Sequence, residues 1–191
     1  AGGTTAAPAR VYFSQIGDGT TWSGRGTGYF DFGRDDGEAV EDITPFGGGL
    51  VVGKATSLHF LAGDNTDTFQ TSQLAAGGAA PGRSVLATPY GCVIAGREMV
   101  FLYDGNTVTP IGRAIENSYG VASGEFVSLS YIDGSIYIAD GANQKVFVFD
   151  LNAGVSIDPD KAFRRIDQAS SPGKWKVVFF WPKDFTFVCP T

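Results

Sequence analysis

Near the end of the sequence, Pro182, Thr186 and Cys189 fall in the spacing P-x-x-x-T-x-x-C. Cys189 could do nucleophilic or redox chemistry. The thiolate is the competent species, and nearby hydrogen-bond donors or cations favour it by lowering the thiol pKa. The second cysteine, Cys92, sits in the apolar stretch GCVIAG and reads as a small buried hydrophobe. Two cysteines are too few for a disulfide scaffold or a thiolate zinc site. One histidine, His59, removes any multi-histidine metal site, and a Ser-His-Asp triad would have to use it. Flanked by Leu58 and Phe60, it reads as an outward-facing strand residue.

Other candidates weaken when their spacing is tested. GGLVVGKAT places Gly48, Gly53 and Lys54 at P-loop spacing, but Ala55 stands where Mg²⁺ needs a Ser or Thr. LVV reads as strand where a glycine-rich loop belongs. GRGTG, from Gly24 to Gly28, lacks dinucleotide-binding spacing and reads as a turn. Asp31, Asp35, Asp36, Glu38, Glu41 and Asp42 offer the oxygens Ca²⁺ prefers, yet match no EF-hand loop. They read as a solvated acidic turn. The sequence therefore calls for no cofactor and no metal.

The elements that must position these residues are short. The 191 residues include 27 Gly and 9 Pro, which favours tight turns over long helices. A hydrophobic share of 43% is enough for a sizeable core. No apolar run reaches the ~20 residues that span a bilayer. AGGTTAAPAR lacks the apolar core of a signal peptide, so the expected location is a particle or the cytoplasm. Residues 1–150 carry 8 basic and 16 acidic side chains, and residues 151–191 carry 6 and 4. An acidic body of this kind is a poor nucleic-acid binder. The change of sign suggests a join near residue 150.

A repeat organises the body. GLVVGKATSLHFLAGD from Gly49, GCVIAGREMVFLYDG from Gly91 and GSIYIADGANQKVFVFD from Gly134 each read as strand, turn and strand. Their starts lie 42 and 43 residues apart, and RVYFSQIGDGTTW from Arg10 is a weaker fourth copy. Each strong copy follows another strand-like run, from Val40, Arg83 and Phe126. Asp-Gly pairs, such as Asp133-Gly134, supply hairpin turns. The expectation is a mainly β fold with propeller-like antiparallel hairpin repeats of period ~42. A meander or sandwich with chance spacing is the alternative. The domains read as a flexible N-terminus (1–9), a β-repeat region (10–150) and an appendage (151–191).

The stretch from Arg10 to Gly63 resembles the propeller segments of tailed-phage virion proteins: tail nozzle, hub and packaged-DNA stabilisation proteins. Arg10, Ser14, Asp18, Trp22, Gly28, Asp31, Asp36, Gly37, Ile43 and Lys54 carry the likeness. It implies a structural virion role with protein subunits as partners, in a homo-oligomer or particle. A carbohydrate- or ligand-binding propeller rests on fold analogy alone.

The appendage departs from the repeat. DPDKAFRRIDQASSPG has a cap candidate at Asp158 and apolar Ala162, Phe163 and Ile166 at helical spacing, so a short helix is expected. KWKVVFFW then reads as a buried strand. From about Ile157 to Thr191 the chain resembles the active-site segment of typical 2-Cys peroxiredoxins of the alkyl hydroperoxide reductase type. The resemblance implies that Cys189 attacks peroxide, Thr186 orients it and Pro182 shields the pocket. The family's activating Arg and resolving Cys lie further downstream than this sequence runs, so the expected enzyme is incomplete. Residues 176–181 are expected to pair as a strand with the body or another chain, and Cys92 and Cys189 to form no disulfide.

Overall fold

The computed structural model describes residues 2–4, 6–33, 36–122, 124–141, 143–151 and 163–166. These residues are mainly β, with one short 3-10 turn at Arg113–Ile115. Sheet I holds β1 (Gly2–Thr4), β2 (Ala7–Phe13) and β3 (Gly28–Asp31). Sheet II is a meander of β4 (Val40–Phe46), β5 (Gly49–Lys54), β6 (Ser57–Ala62) and β7 (Gln70–Ala76). After the two-residue β8 (Gly82–Arg83), sheet III runs β9 (Val85–Thr88), β10 (Gly91–Ala95), β11 (Val100–Tyr103) and β12 (Val108–Pro110). Sheet IV comprises β13 (Val127–Ile132), β14 (Ser135–Asp140), β15 (Lys145–Asp150) and β16 (Phe163–Ile166), with β8 parallel to β13.

The hairpins read from the sequence take equivalent places. β5–β6, β10–β11 and β14–β15 are each the second and third strands of an antiparallel meander. Turn chemistry sets the registers. Between Ile132 and Ser135, Asp133 and Gly134 have φ of 48° and 82°. Gly47 and Gly48, between Phe46 and Gly49, have φ of 58° and 78°. Two consecutive positive-φ residues give the turn whose twist matches that of the flanking strands.

The sheets stack in chain order. One apolar cluster joins sheets I and II around Val11, Phe32, Val52 and Leu61. A second joins II and III around Val51, Leu58, Cys92 and Ile94. The largest joins III and IV around Val93, Val100, Leu129, Ile138 and Phe147. Side chains alternate along a strand, so the neighbours Val51 and Val52 point into different clusters, and both are 0% exposed. Full burial of a valine stabilises by about 1.5–3 kcal/mol. The middle sheets therefore bury both faces, which explains the continuous apolar runs GLVVG and GCVIA.

Three expectations change. The described sheets do not close on themselves, so a closed propeller is not shown; four sheets sit at the lower limit of the roughly 4–8 blades such rings use. Part of the stretch read as a flexible N-terminus is strand, because β2 pairs with β3 and β1 adds to its other edge. The helix expected around Phe163 and Ile166 is instead β16, antiparallel to β15 with Phe149 opposite Phe163 and Val146 opposite Ile166. Two apolar residues three apart fit either structure over so short a window, and the edge of β15 supplies the backbone partners that decide it.

Candidate functional site

Cys189, Thr186 and Pro182 lie outside the described residues, as do the expected strand over 176–181 and any pairing of Cys189. The chemistry-bearing residues of the body are described. Cys92 is fully buried on β10 among Val51, Leu58, Ala79 and Val85.

Lys54 is the most telling of them. It ends β5 and is 0% exposed, where an unpaired ammonium would be very costly. Its Nζ donates to the carbonyls of Phe32 (2.8 Å) and Gly33 (3.4 Å) and to the Asp36 carboxylate. The P-loop-like lysine is thus committed to the crossing from sheet I to sheet II. Burial alone would push the Asp36 carboxyl up, but the Lys54 ammonium and the Glu38 N–H bring it below the ordinary value.

His59 lies on the same side of sheet II. Its Nε2 is 3.0 Å from Ser57 Oγ, and its ring centroid is 5.5 Å from that of Phe32. Burial lowers its pKa, the nearby Lys54 charge lowers it further, and Asp36 opposes both. A serine hydrogen-bonded to a neutral imidazole is half of a nucleophilic triad. Asp36, the one carboxylate among the described residues that shifts its pKa, makes its ion pair with Lys54. The recess of about 300 Å³ beside this corner is lined by Ala6–Arg10, Asp31, Gly37 and Glu38, not by Ser57 or His59. The arrangement works as a polar seam between sheets.

The acidic cluster is dispersed in the same way. Asp31 holds Arg10 in a two-point ion pair at 2.7 and 3.0 Å, with the guanidinium carbon 3.5 Å over the Tyr29 ring. Glu41 lies 3.7 Å from Arg97, which reaches over from the β10–β11 turn. Burial pushes the Asp42 carboxyl up, although it accepts the N–H groups of Val85 (2.8 Å) and Ile43 (2.9 Å). Among the described residues no group of three or more His, Cys, Asp or Glu is placed to hold a metal ion. No described helix is long and apolar enough to cross a membrane.

Sequence reasoning missed the pairing of Lys54 with Asp36 and of Asp42 with Val85. The acidic run was visible, but each partner lies 18 or more residues away.

Comparison with known proteins concerns the thiol segment. No protein-family model matches the chain. Alkyl hydroperoxide reductase C of Mycobacterium tuberculosis is 57% identical over 42 residues, 22% of this chain and 22% of that protein. The protein of the same name from Mycolicibacterium smegmatis is 52% identical over 42 residues, with the same shares. Thioredoxin peroxidase of Trypanosoma brucei rhodesiense is 57% identical over 37 residues, 19% of each chain. The chain thus spans about a fifth of the length of these relatives. It carries a peroxiredoxin-like segment.

Proposed function

We propose that the chain is a structural assembly protein: an arc of propeller blades whose partners are further protein subunits of a phage-type particle. One observation carries the reading. The three hairpins recur at equivalent places in stacked sheets, and the chemistry-bearing residues between them are committed to joining sheet to sheet. Lys54 and Asp36 bind each other and Lys54 and Asp42 bind backbone across elements, as a scaffold needs. The particle rests on the likeness read from the Arg10–Gly63 sequence alone. Light scattering on the purified chain tests the reading over a concentration series. Self-association is expected, and a monomer at every concentration up to about millimolar overturns it.

The relatives favour a second reading, a thiol peroxidase centred on Cys189. The Cys189 thiolate would attack one peroxide oxygen, forming the sulfenic acid as the O–O bond breaks and the departing alkoxide takes a proton. Thr186 would orient the peroxide and Pro182 would shield the thiol. The rate of Cys189 oxidation by hydrogen peroxide, set against free cysteine, decides this reading. Acceleration of about 100-fold or more supports it, and equal rates remove it.

A further inference from the structure

The sequence holds Asp-Gly pairs at Asp18-Gly19, Asp36-Gly37, Asp104-Gly105, Asp133-Gly134 and Asp140-Gly141. An aspartate before glycine can isomerise without enzyme or cofactor, because glycine has no Cβ to shield its backbone nitrogen. Two conditions govern the reaction. The carboxyl must be neutral and released from its partners, so that its hydroxyl can leave as water. The glycine N–H must be free of any acceptor.

Four of the pairs fail one or both conditions. Asp18 accepts the Thr20 N–H (2.9 Å) and the hydroxyls of Thr20 (2.6 Å) and Thr21 (2.7 Å), which hold its carboxyl down at about 2. Asp104 accepts the N–H groups of Thr107 and Asn106, both at 2.8 Å, and the Thr107 hydroxyl at 3.1 Å. These bonds lower its pKa in the same way. Asp36 is tied to Lys54 and to the Glu38 N–H at 3.0 Å. Asp140 is 1% exposed and binds the Asn143 side chain at 2.7 Å, while the Gly141 N–H donates to Phe126 at 3.4 Å.

Asp133 differs. It is exposed at the tip of the β13–β14 hairpin, and among the described residues its carboxylate has no hydrogen bond or ion pair. The Gly134 N–H likewise donates to no described group.

We propose that Asp133-Gly134 is a site of isoaspartate formation, at which the main chain passes from the α-carboxyl to the side-chain carboxyl. The Gly134 nitrogen attacks Cγ of Asp133, the N–Cγ bond forms, and the carboxyl OH leaves with the N–H proton as water. One water then opens the cyclic imide. Cleavage at the former main-chain carbonyl leaves the chain linked through Cγ, and cleavage at Cγ restores aspartate. Nothing is oxidised or reduced. The product presents a free α-carboxylate, the chemical class that carboxyl methylation of isoaspartate acts on.

The turn gives the change a structural consequence. Asp133 and Gly134, at φ of 48° and 82°, fix Ile132 opposite Ser135 and hence Leu129 opposite Ile138 in the core between sheets III and IV. Isoaspartate adds a methylene to the main chain of a two-residue turn, which no longer matches the twist of its strands.

The test ages the full folded chain in mildly acidic buffer and maps isoaspartate by peptide digestion and electron-transfer fragmentation, beside the same chain in urea. In urea the five pairs are expected to react at similar rates. In the fold Asp133 should react at least about tenfold faster than Asp18 or Asp104, since each unit by which a carboxyl pKa falls removes about tenfold of its neutral form. Thr20→Ala/Thr21→Ala removes two bonds from Asp18 in an exposed loop, and should raise isomerisation there several-fold. The isomerised fraction, separated by ion exchange, should unfold at lower urea than its parent. A folded chain in which another pair outpaces Asp133, or in which the five react alike, overturns the assignment. An unchanged rate at Asp18 in the double variant overturns hydrogen bonding as its basis, and equal urea midpoints overturn the consequence for the hairpin.

Discussion

Asp42 on β4 accepts the backbone N–H of Val85, the first residue of β9, at 2.8 Å. Two residues on, Thr44 donates its hydroxyl to the carbonyl of the same Val85 at 2.7 Å. Two side chains of sheet II thus satisfy both backbone groups of one residue in sheet III. A buried backbone group must find some partner, and here the partner belongs to the next sheet.

Asp42→Ala is therefore expected to destabilise the fold by about 1–3 kcal/mol, the cost of leaving buried donors unsatisfied. Asp42→Asn keeps an acceptor oxygen and removes a carboxyl whose pKa burial raises, so it should cost much less. Urea unfolding of both variants measures the difference. Equal losses would mean that the contact with Val85 contributes nothing specific.

The next junction lacks this clamp. Counting back four residues from the turn-flanking Phe46, Thr88 and Ile132 places Asp42, Ser84 and Ser128 at equivalent positions. Ser84 is 0% exposed and its Oγ has no hydrogen-bond partner among the described residues. Removing a polar atom that is buried and unpaired relieves a desolvation penalty. Ser84→Ala should be neutral or stabilising by up to about 1 kcal/mol. A loss of more than 1 kcal/mol in the same assay would mean that the hydroxyl has a partner.

This clamp marks the limit of what could be read beforehand. Ile136 and Ile138 alternate with Tyr137, and Asp133-Gly134 ends the preceding run; such local patterns made strands, hairpins and period legible. Asp42 and Val85 are 43 residues apart, and nothing local distinguishes this aspartate from the acidic residues around it. At Lys54 the glycine spacing suggests a phosphate loop, but the strand reading of LVV argued against it from the sequence, and Lys54 does end a strand. At Phe163 the outcome depended on a free strand edge, which exists only in three dimensions.

Lys54 yields the third expectation. Asp36→Asn leaves the ammonium fully buried with only carbonyl oxygens as acceptors, and should destabilise by about 1–3 kcal/mol, discounted because the Asp36 side chain is 39% exposed. In Asp36→Asn/Lys54→Met no buried charge remains, and methionine fills much of the lysine volume. The double variant should be more stable than Asp36→Asn alone. Additive losses in the double-mutant cycle would show that the two side chains are not coupled.

The last expectation concerns pH. His59 has its pKa lowered from 6.5, chiefly by burial and then by the Lys54 charge, with Asp36 opposing. Among the described residues the charged groups facing it are Lys54 on β5 and Asp36 in the crossing from sheet I. Between the folded and unfolded pKa values the unfolded chain binds more protons, so stability rises with pH through that window. The contribution of neutral His59 is complete above about 6.5 and is lost as pH falls from there towards the lower, folded value. Other acidic groups titrate as well, so the reading lies in a comparison with His59→Gln, which has no such proton. The stability of the wild type relative to His59→Gln should fall between pH 7.5 and pH 5. A difference constant over that range would mean that His59 ionises as freely in the fold as in the unfolded chain.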